Sequence, residues 1–188
     1  MSVYRFLAFI YPIIDRYIMP SKSVLTAQLE GKDSGKLLDI GCGMALIWSQ
    51  WSKHECWGVD SSKQMIQHGS SKHTQGRCLL ADARNVPFQT EEFDIVVIAH
   101  MLSTIKEVSP VLLEAHRVLK KGGVCYIQNH DSTKWHFFDV LIRPFAVLFG
   151  VKVPFYLHHY IDSSYWTVEM EHKLGRFSYF KLITLHKR

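Results

Sequence analysis

The sequence predicts an α/β fold: a Rossmann-like, doubly wound sheet, mainly parallel, with an antiparallel hairpin at its C-terminal end. Three observations lead there. Short apolar runs recur through the first two thirds of the chain, at 37–40, 56–60, 77–81, 93–99 and 124–128, and polar residues stand at their ends. Gly41 and Gly43 follow the first run directly, as in a strand, turn and helix built to hold a nucleotide-like ligand. The tail, 167–173 and 177–186 around Gly175, reads as a hairpin supplying a sixth and seventh strand.

In the N-terminal segment, Val3, Phe6, Leu7, Ile10, Ile13, Ile14, Tyr17 and Ile18 recur at helical spacing. Arg5, Asp15 and Arg16 lie off that stripe, and Pro12 kinks or splits it. The segment is too short and interrupted for a membrane span, which needs about 20 apolar residues, and it lacks a signal-peptide cleavage site. A lid over the site is the first reading, and an amphipathic helix lying on a bilayer is a second, compatible one.

A helix over 22–29 and a polar turn at 31–35 precede the first strand. The glycine turn is followed by an expected helix over 46–51. After Asp60, Ser61 or Ser62 caps a helix through Met65 to His68, and 69–76 is a surface loop. Pro87 and Phe88 make an irregular connection to the fourth strand, which ends at His100. Val111, Leu112, Ala115, Val118 and Leu119 mark a helix over 111–119. Lys120 and Lys121 suit its negative end, with Gly122 and Gly123 beyond the cap. Asn129, His130 and Asp131 stand at the tip of the fifth strand. Residues 134–151 are apolar around nearly the whole helical circumference, interrupted by Pro144, and 154–160 is a ring-rich loop. A helix over 163–174 competes with the hairpin, because Trp166, Met170 and Leu174 also have helical spacing; the hairpin is preferred.

The formal charge of +5 is not gathered in one Lys/Arg run, so nucleic acid is not indicated. A solvated basic surface and an anionic partner, such as a membrane, both remain open. Cys42, Cys56, Cys78 and Cys125 have no close paired spacing and read as reduced cysteines of a cytoplasmic protein, neither disulfides nor a metal site.

The ligand site follows from the strand tips. Gly41 and Gly43 lack a Cβ, so the chain turns sharply and a ligand approaches the backbone. The expected helix start leaves free N–H groups there. Asp60 stands where a carboxylate accepts from a ribose diol. Asp82 ends the third strand. For both acids the bland alternative is a helix cap or a solvated loop carboxylate.

Taken together, Leu38-Asp-Ile-Gly-Cys-Gly43, Gly58-Val-Asp-Ser-Ser62 with Met65, Ala81-Asp-Ala-Arg-Asn-Val-Pro-Phe88, Phe93-Asp-Ile-Val-Val97 and Glu114-Ala-His-Arg-Val-Leu-Lys-Lys-Gly-Gly123 resemble the class I S-adenosylmethionine-dependent methyltransferases, in that family's order. Ala45 departs from it, standing where the family often has a third glycine. The resemblance implies a cofactor, S-adenosyl-L-methionine. It implies one methyltransferase domain over 1–188: N-terminal lid or amphipathic helices at 1–34, a cofactor-binding core at 35–130, and a substrate-covering helix with the hairpin at 131–188. It assigns the methionine end of the cofactor to Asp39 and the backbone of Gly41, Cys42 and Gly43. Asp60 and Ser61 go to the ribose, Met65 to the adenine face (or simply the core), Asp82 to the adenine amine, and Ala83, Ala99 and His100 to the pocket wall.

The second half, through His100, Gln128-Asn-His-Asp131, Leu148-Phe-Gly-Val-Lys-Val-Pro-Phe155 and Leu174-Gly-Arg-Phe-Ser-Tyr-Phe180, resembles the soluble bacterial phospholipid N-methyltransferases. That implies a phosphatidylethanolamine headgroup as acceptor and peripheral contact with an anionic membrane. The quinone-ring methyltransferases share the same core and are the alternative. His100, His130 and Tyr11 are the candidate catalytic residues: the histidines as bases, the tyrosine as a cation–π wall with Tyr156 and Tyr160. Three further functions stay open: methylation of a soluble small molecule, nicotinamide-dependent chemistry, and a non-catalytic cofactor-binding subunit, for which Ala45 leaves room.

Overall fold

The computed structural model describes residues 23–45, 48–70, 76–132, 139–140, 143–144, 146–147, 150–174 and 179–188. The N-terminal stripe with Tyr11, most of the apolar segment 134–151, and the turn around Gly175 lie outside them.

Five strands run parallel: β1 (Lys36–Ile40), β2 (Glu55–Asp60), β3 (Gly76–Leu80), β4 (Phe93–Ala99) and β5 (Leu119–His130). The chain then returns as β6 (Trp166–Leu174) and β7 (Phe180–Lys187). The sheet order is β3-β2-β1-β4-β5-β7-β6, with β7 antiparallel to both neighbours. The competing helix over 163–174 is therefore set aside. Leu182, Ile183 and Leu185 of β7 are buried against β5, and this pairing decides between two local patterns that spacing alone left close.

Both faces of the sheet are covered, which is why the central strands are apolar without alternation. On one face Leu38, Ile40, Val96, Ile98 and Ile127 pack with Val111, Leu112, Ala115 and Val118 of the helix Ser109–Val118. On the other, Leu37, Ile95, Val97 and Tyr126 pack with Leu25 and Leu29 of the helix Ser23–Glu30 and with Trp48 and Trp51. In chain order these helices are α1 (Ser23–Glu30), α2 (Lys63–Ser70) and α3 (Ser109–Val118).

Two local expectations are corrected. The helix expected over 46–51 is, among the described residues, only a 3-10 turn at Trp48–Gln50. Successive i→i−3 bonds carry the chain there: Ala45 N to Cys42 O, Trp48 N to Ala45 O, Trp51 N to Trp48 O, and His54 N to Trp51 O, at 2.8 to 3.2 Å. Such turns eclipse residues three apart, and this seats both indoles on one side, each 2% exposed. The second correction concerns Lys120 to Gly123. α3 hands over directly to β5 at Leu119, whose backbone is extended. Lys120 pairs with Asp94 at 2.7 Å instead of sitting over the helix end. Gly122, at φ +75°, belongs to the irregularity between the Phe93–Leu119 and Ile95–Val124 pairs.

Candidate active site

Parallel strands end together, so the tips of β1, β2, β3 and β4 share one edge. At β1 the turn is held by β2: Gly41 N and Cys42 N donate to Val59 O at 2.8 and 3.1 Å, and Gly43 N donates to Asp60 Oδ2 at 2.8 Å. Gly41 (φ +78°) and Gly43 (φ +55°) use left-handed backbone that glycine adopts freely. A Cβ at Gly43 would stand 3.3 Å from the Met65 Cε, so the buried Met65 faces the turn as the resemblance implied. At Gly41 the outcome differs: a Cβ would meet the Met101 Cγ at 2.7 Å, so this glycine makes room for Met101. The free N–H groups expected of a helix start are absent among the described residues, because the Trp48–Gln50 turn has no first helical turn to offer.

Asp39 is buried, and its Oδ2 accepts from the Trp48 indole N–H at 2.8 Å. Asp60 accepts from Ser62 N on Oδ1 and from Gly43 N on Oδ2, both at 2.8 Å. Burial raises its pKa, and the backbone donors of Ser62, Gly43 and Ser61 pull against that rise. A carboxylate has about four lone-pair directions, so both oxygens can still accept from a diol. Ser62 rather than Ser61 caps α2, accepting from Met65 N at 3.4 Å, and Ser61 is exposed.

Asp82 is exposed, and Arg84 grips both of its oxygens, with Nη2 to Oδ2 at 2.7 Å and Nε to Oδ1 at 3.0 Å. The guanidinium holds this carboxyl at about 2. In this arrangement Asp82 behaves as a solvated loop acid with a cation partner. Ala83 and Ala99 are half-buried beside the strand ends.

The tips of β4 and β5 carry the histidines. His100 sits at φ +57°, its N–H donates to Gln128 O at 2.7 Å, and its Nε2 lies 3.0 Å from the Gln128 Nε2. That ring nitrogen is committed to Gln128. His130 is freer chemically. Its Nε2 lies 3.0 Å from the Lys152 carbonyl, which only accepts, so Nε2 carries the proton and Nδ1 the lone pair. Burial lowers its pKa, which keeps the ring neutral.

Around His130 the chain assembles rings that no local sequence pattern connects. Tyr179 stacks on it at 5.4 Å with planes 5° apart, Phe155 lies at 5.5 Å and Phe180 at 6.2 Å. The Tyr179 hydroxyl donates to Asp139 Oδ1 at 2.9 Å, as does the Ser132 hydroxyl at 3.0 Å, and Ser132 Oγ accepts from Phe155 N at 3.0 Å. The buried Lys181 pairs with Asp131 at 2.9 Å and Glu171 at 3.0 Å. Burial lowers the Lys181 pKa, but these partners outweigh it and the net direction is up. Sequence reasoning missed Trp48, Met101, Gln128, Tyr179 and Asp139, because each gains its role from a distant strand or loop. Tyr11 lies outside the described residues. Among the described residues no three His, Cys, Asp or Glu side chains are placed to hold a metal, and no helix is long and apolar enough to cross a membrane.

Comparison with known proteins supplies the class. Residues 38–127, just under half of the chain, match the family model described as the methyltransferase domain. With the seven-stranded sheet and the glycine turn, this segment has the core of a class I S-adenosylmethionine-dependent methyltransferase domain. Among curated proteins, the chain is 34% identical over 116 residues to the demethylmenaquinone methyltransferase of Staphylococcus saprophyticus, covering 56% of this chain and 50% of that one. It is 30% identical over 99 residues to the ubiquinone/menaquinone biosynthesis C-methyltransferase UbiE of Desulfotalea psychrophila, covering 49% and 40%. The chain thus spans half or less of these relatives' length. Among solved structures, it superposes with TM-score 0.79 on a chain of the Haloferax volcanii complex between the Trm112 methyltransferase activator and a methyltransferase, at 14% identity, covering 94% of this chain and 92% of that one. The curated relatives act on quinones by name, so the phospholipid resemblance of the second half has less support than the quinone alternative.

Proposed function

We propose that this chain transfers a methyl group from S-adenosylmethionine to a planar aromatic acceptor of the quinone class. The observation that carries the reading is the ring wall of Phe155, Tyr179 and Phe180 around a neutral, buried His130 at the tip of β5. The names of the curated relatives support the same acceptor class.

When bound, the cofactor supplies a methyl group on a positively charged sulfur. The Gly41 to Gly43 turn and Asp39 would hold its methionine end, Asp60 its ribose and Met65 its adenine. His130 Nδ1 would take the hydroxyl proton of a reduced quinone, which raises electron density on the adjacent ring carbon for an in-line attack. Asp139, through Tyr179, keeps the stacked ring wall in place.

A phospholipid amine headgroup is the second reading. The buried carboxylates of Asp131 and Asp139 favour it, because both lie near rings able to face a cation. The test is transfer of a radiolabelled methyl group from S-adenosylmethionine to reduced demethylmenaquinone and, separately, to phosphatidylethanolamine vesicles. Label on the quinol is the expected result. Label on the lipid alone would establish the second reading, and label on neither would overturn both.

A further inference from the structure

Cys42, in the glycine turn, and Cys78, in β3, meet on one face of the sheet. Gly58 of β2 pairs with Cys78 across the parallel ladder, so a side chain at either position points the same way. The space above Gly58 is filled by Cys42: a Cβ there would stand 2.7 Å from the Cys42 Sγ and 2.8 Å from its Cβ. Both cysteines pack in the same apolar cluster. Their thiols are hydrogen-bonded to each other, and this contact raises the Cys42 pKa and lowers that of Cys78. The other two cysteines do not compete. The Cys56 thiol points at the carbonyls of His54 and Trp51, at 3.6 and 3.9 Å, and Cys125 is fully buried on the opposite face.

We propose that Cys42 and Cys78 form a peroxide-responsive dithiol whose disulfide disables the cofactor-binding turn. The effect on the cofactor rests on the reading of that turn given above. Cys78 is half-buried and therefore the reachable sulfur. Its thiolate attacks a peroxide oxygen, the O–O bond breaks, and the departing oxygen leaves as water, giving a sulfenic acid. The Cys42 sulfur then attacks the Cys78 sulfur, and the hydroxyl leaves with the Cys42 proton as a second water. Two thiols are oxidised by two electrons and one hydrogen peroxide is reduced. The sulfurs must close to about 2.05 Å, well inside a hydrogen-bonded contact. Cys78 is fixed in the ladder, whereas Cys42 stands between Gly41 and Gly43, the two softest positions of the turn. The turn is therefore what moves, and the Gly43 to Asp60 bond is what strains.

The experiment treats the full chain with hydrogen peroxide, maps its disulfides by mass spectrometry, and measures S-adenosylhomocysteine affinity by calorimetry before treatment, after it, and after dithiothreitol. A Cys42–Cys78 linkage, with affinity weakened about tenfold or more and restored by reductant, is the expected result. Cys78→Ser should keep its affinity through the same treatment. An absent linkage would overturn the proposal, as would a Cys78→Ser protein that loses affinity as wild type does. Reduced protein that binds no S-adenosylhomocysteine would instead overturn the reading of the turn, while the peptide map still decides the bond.

Discussion

The Gly43 amide donates to the Asp60 carboxylate at 2.8 Å, so the turn after β1 is fastened to the tip of β2 before any ligand arrives. Asp60 also holds the Ser62 amide at the start of α2. One buried carboxylate thus joins three elements. Asp60→Ala should lower S-adenosylhomocysteine affinity by about 1–3 kcal/mol and cost the fold a comparable amount, because two amides lose a charged acceptor. Calorimetry and urea unfolding on the same samples separate the two effects. An affinity loss without a stability loss would show that Asp60 serves the ligand alone.

Ala45 sits at φ 49° and is nearly fully buried, in the left-handed region that costs an L-residue roughly 1–2 kcal/mol. Ala45→Gly should therefore stabilise the fold by about 1 kcal/mol, after the extra freedom glycine gains in the unfolded chain is subtracted. Chemical denaturation measures this directly. A destabilised variant would mean that the Ala45 methyl contributes more to packing than its backbone costs.

Gly41 is constrained twice, by φ +78° and by Met101. Gly41→Ala should destabilise the protein, and adding Met101→Ala should recover only the steric part. Unfolding free energies of the two single variants and the double variant form the cycle that tests this. Purely additive losses would remove Met101 from the account.

His130 governs a pH dependence. Burial lowers its pKa below the ordinary 6.5, so the unfolded chain binds the proton more readily than the fold. Stability should then fall as pH drops through 6.5 towards the folded value, and be fully present above it. The His116 pKa is lowered in the same direction, chiefly by burial, so His130→Gln should flatten this slope without abolishing it. On the proposed mechanism, the same variant should lose about 10²–10⁴-fold in kcat. Retained kcat would remove His130 as the base.

Much of the core was legible in the sequence because parallel strands buried on both faces must be apolar, and their ends must carry whatever the site needs. The runs at 37–40 and 93–99, the glycine turn, Asp60 and the C-terminal hairpin all stand where that logic put them. The element after the turn was not legible. Helical spacing at 46–51 fits a 3-10 turn too, and burial of two indoles settles the choice. Arg84 on Asp82 was equally invisible, since a motif does not say which neighbour will answer a charge.

Local periodicity and residues close in the chain were enough to establish the layered sheet, the cofactor class its motifs resemble, and the strand tips on which a site could form. Which distant groups meet at those tips was settled by folding in three dimensions. Tyr179 against His130, Gln128 on His100, Met101 over Gly41 and Cys42 beside Cys78 each join residues from separate elements. Such contacts are set by sheet order and register, which no local pattern encodes.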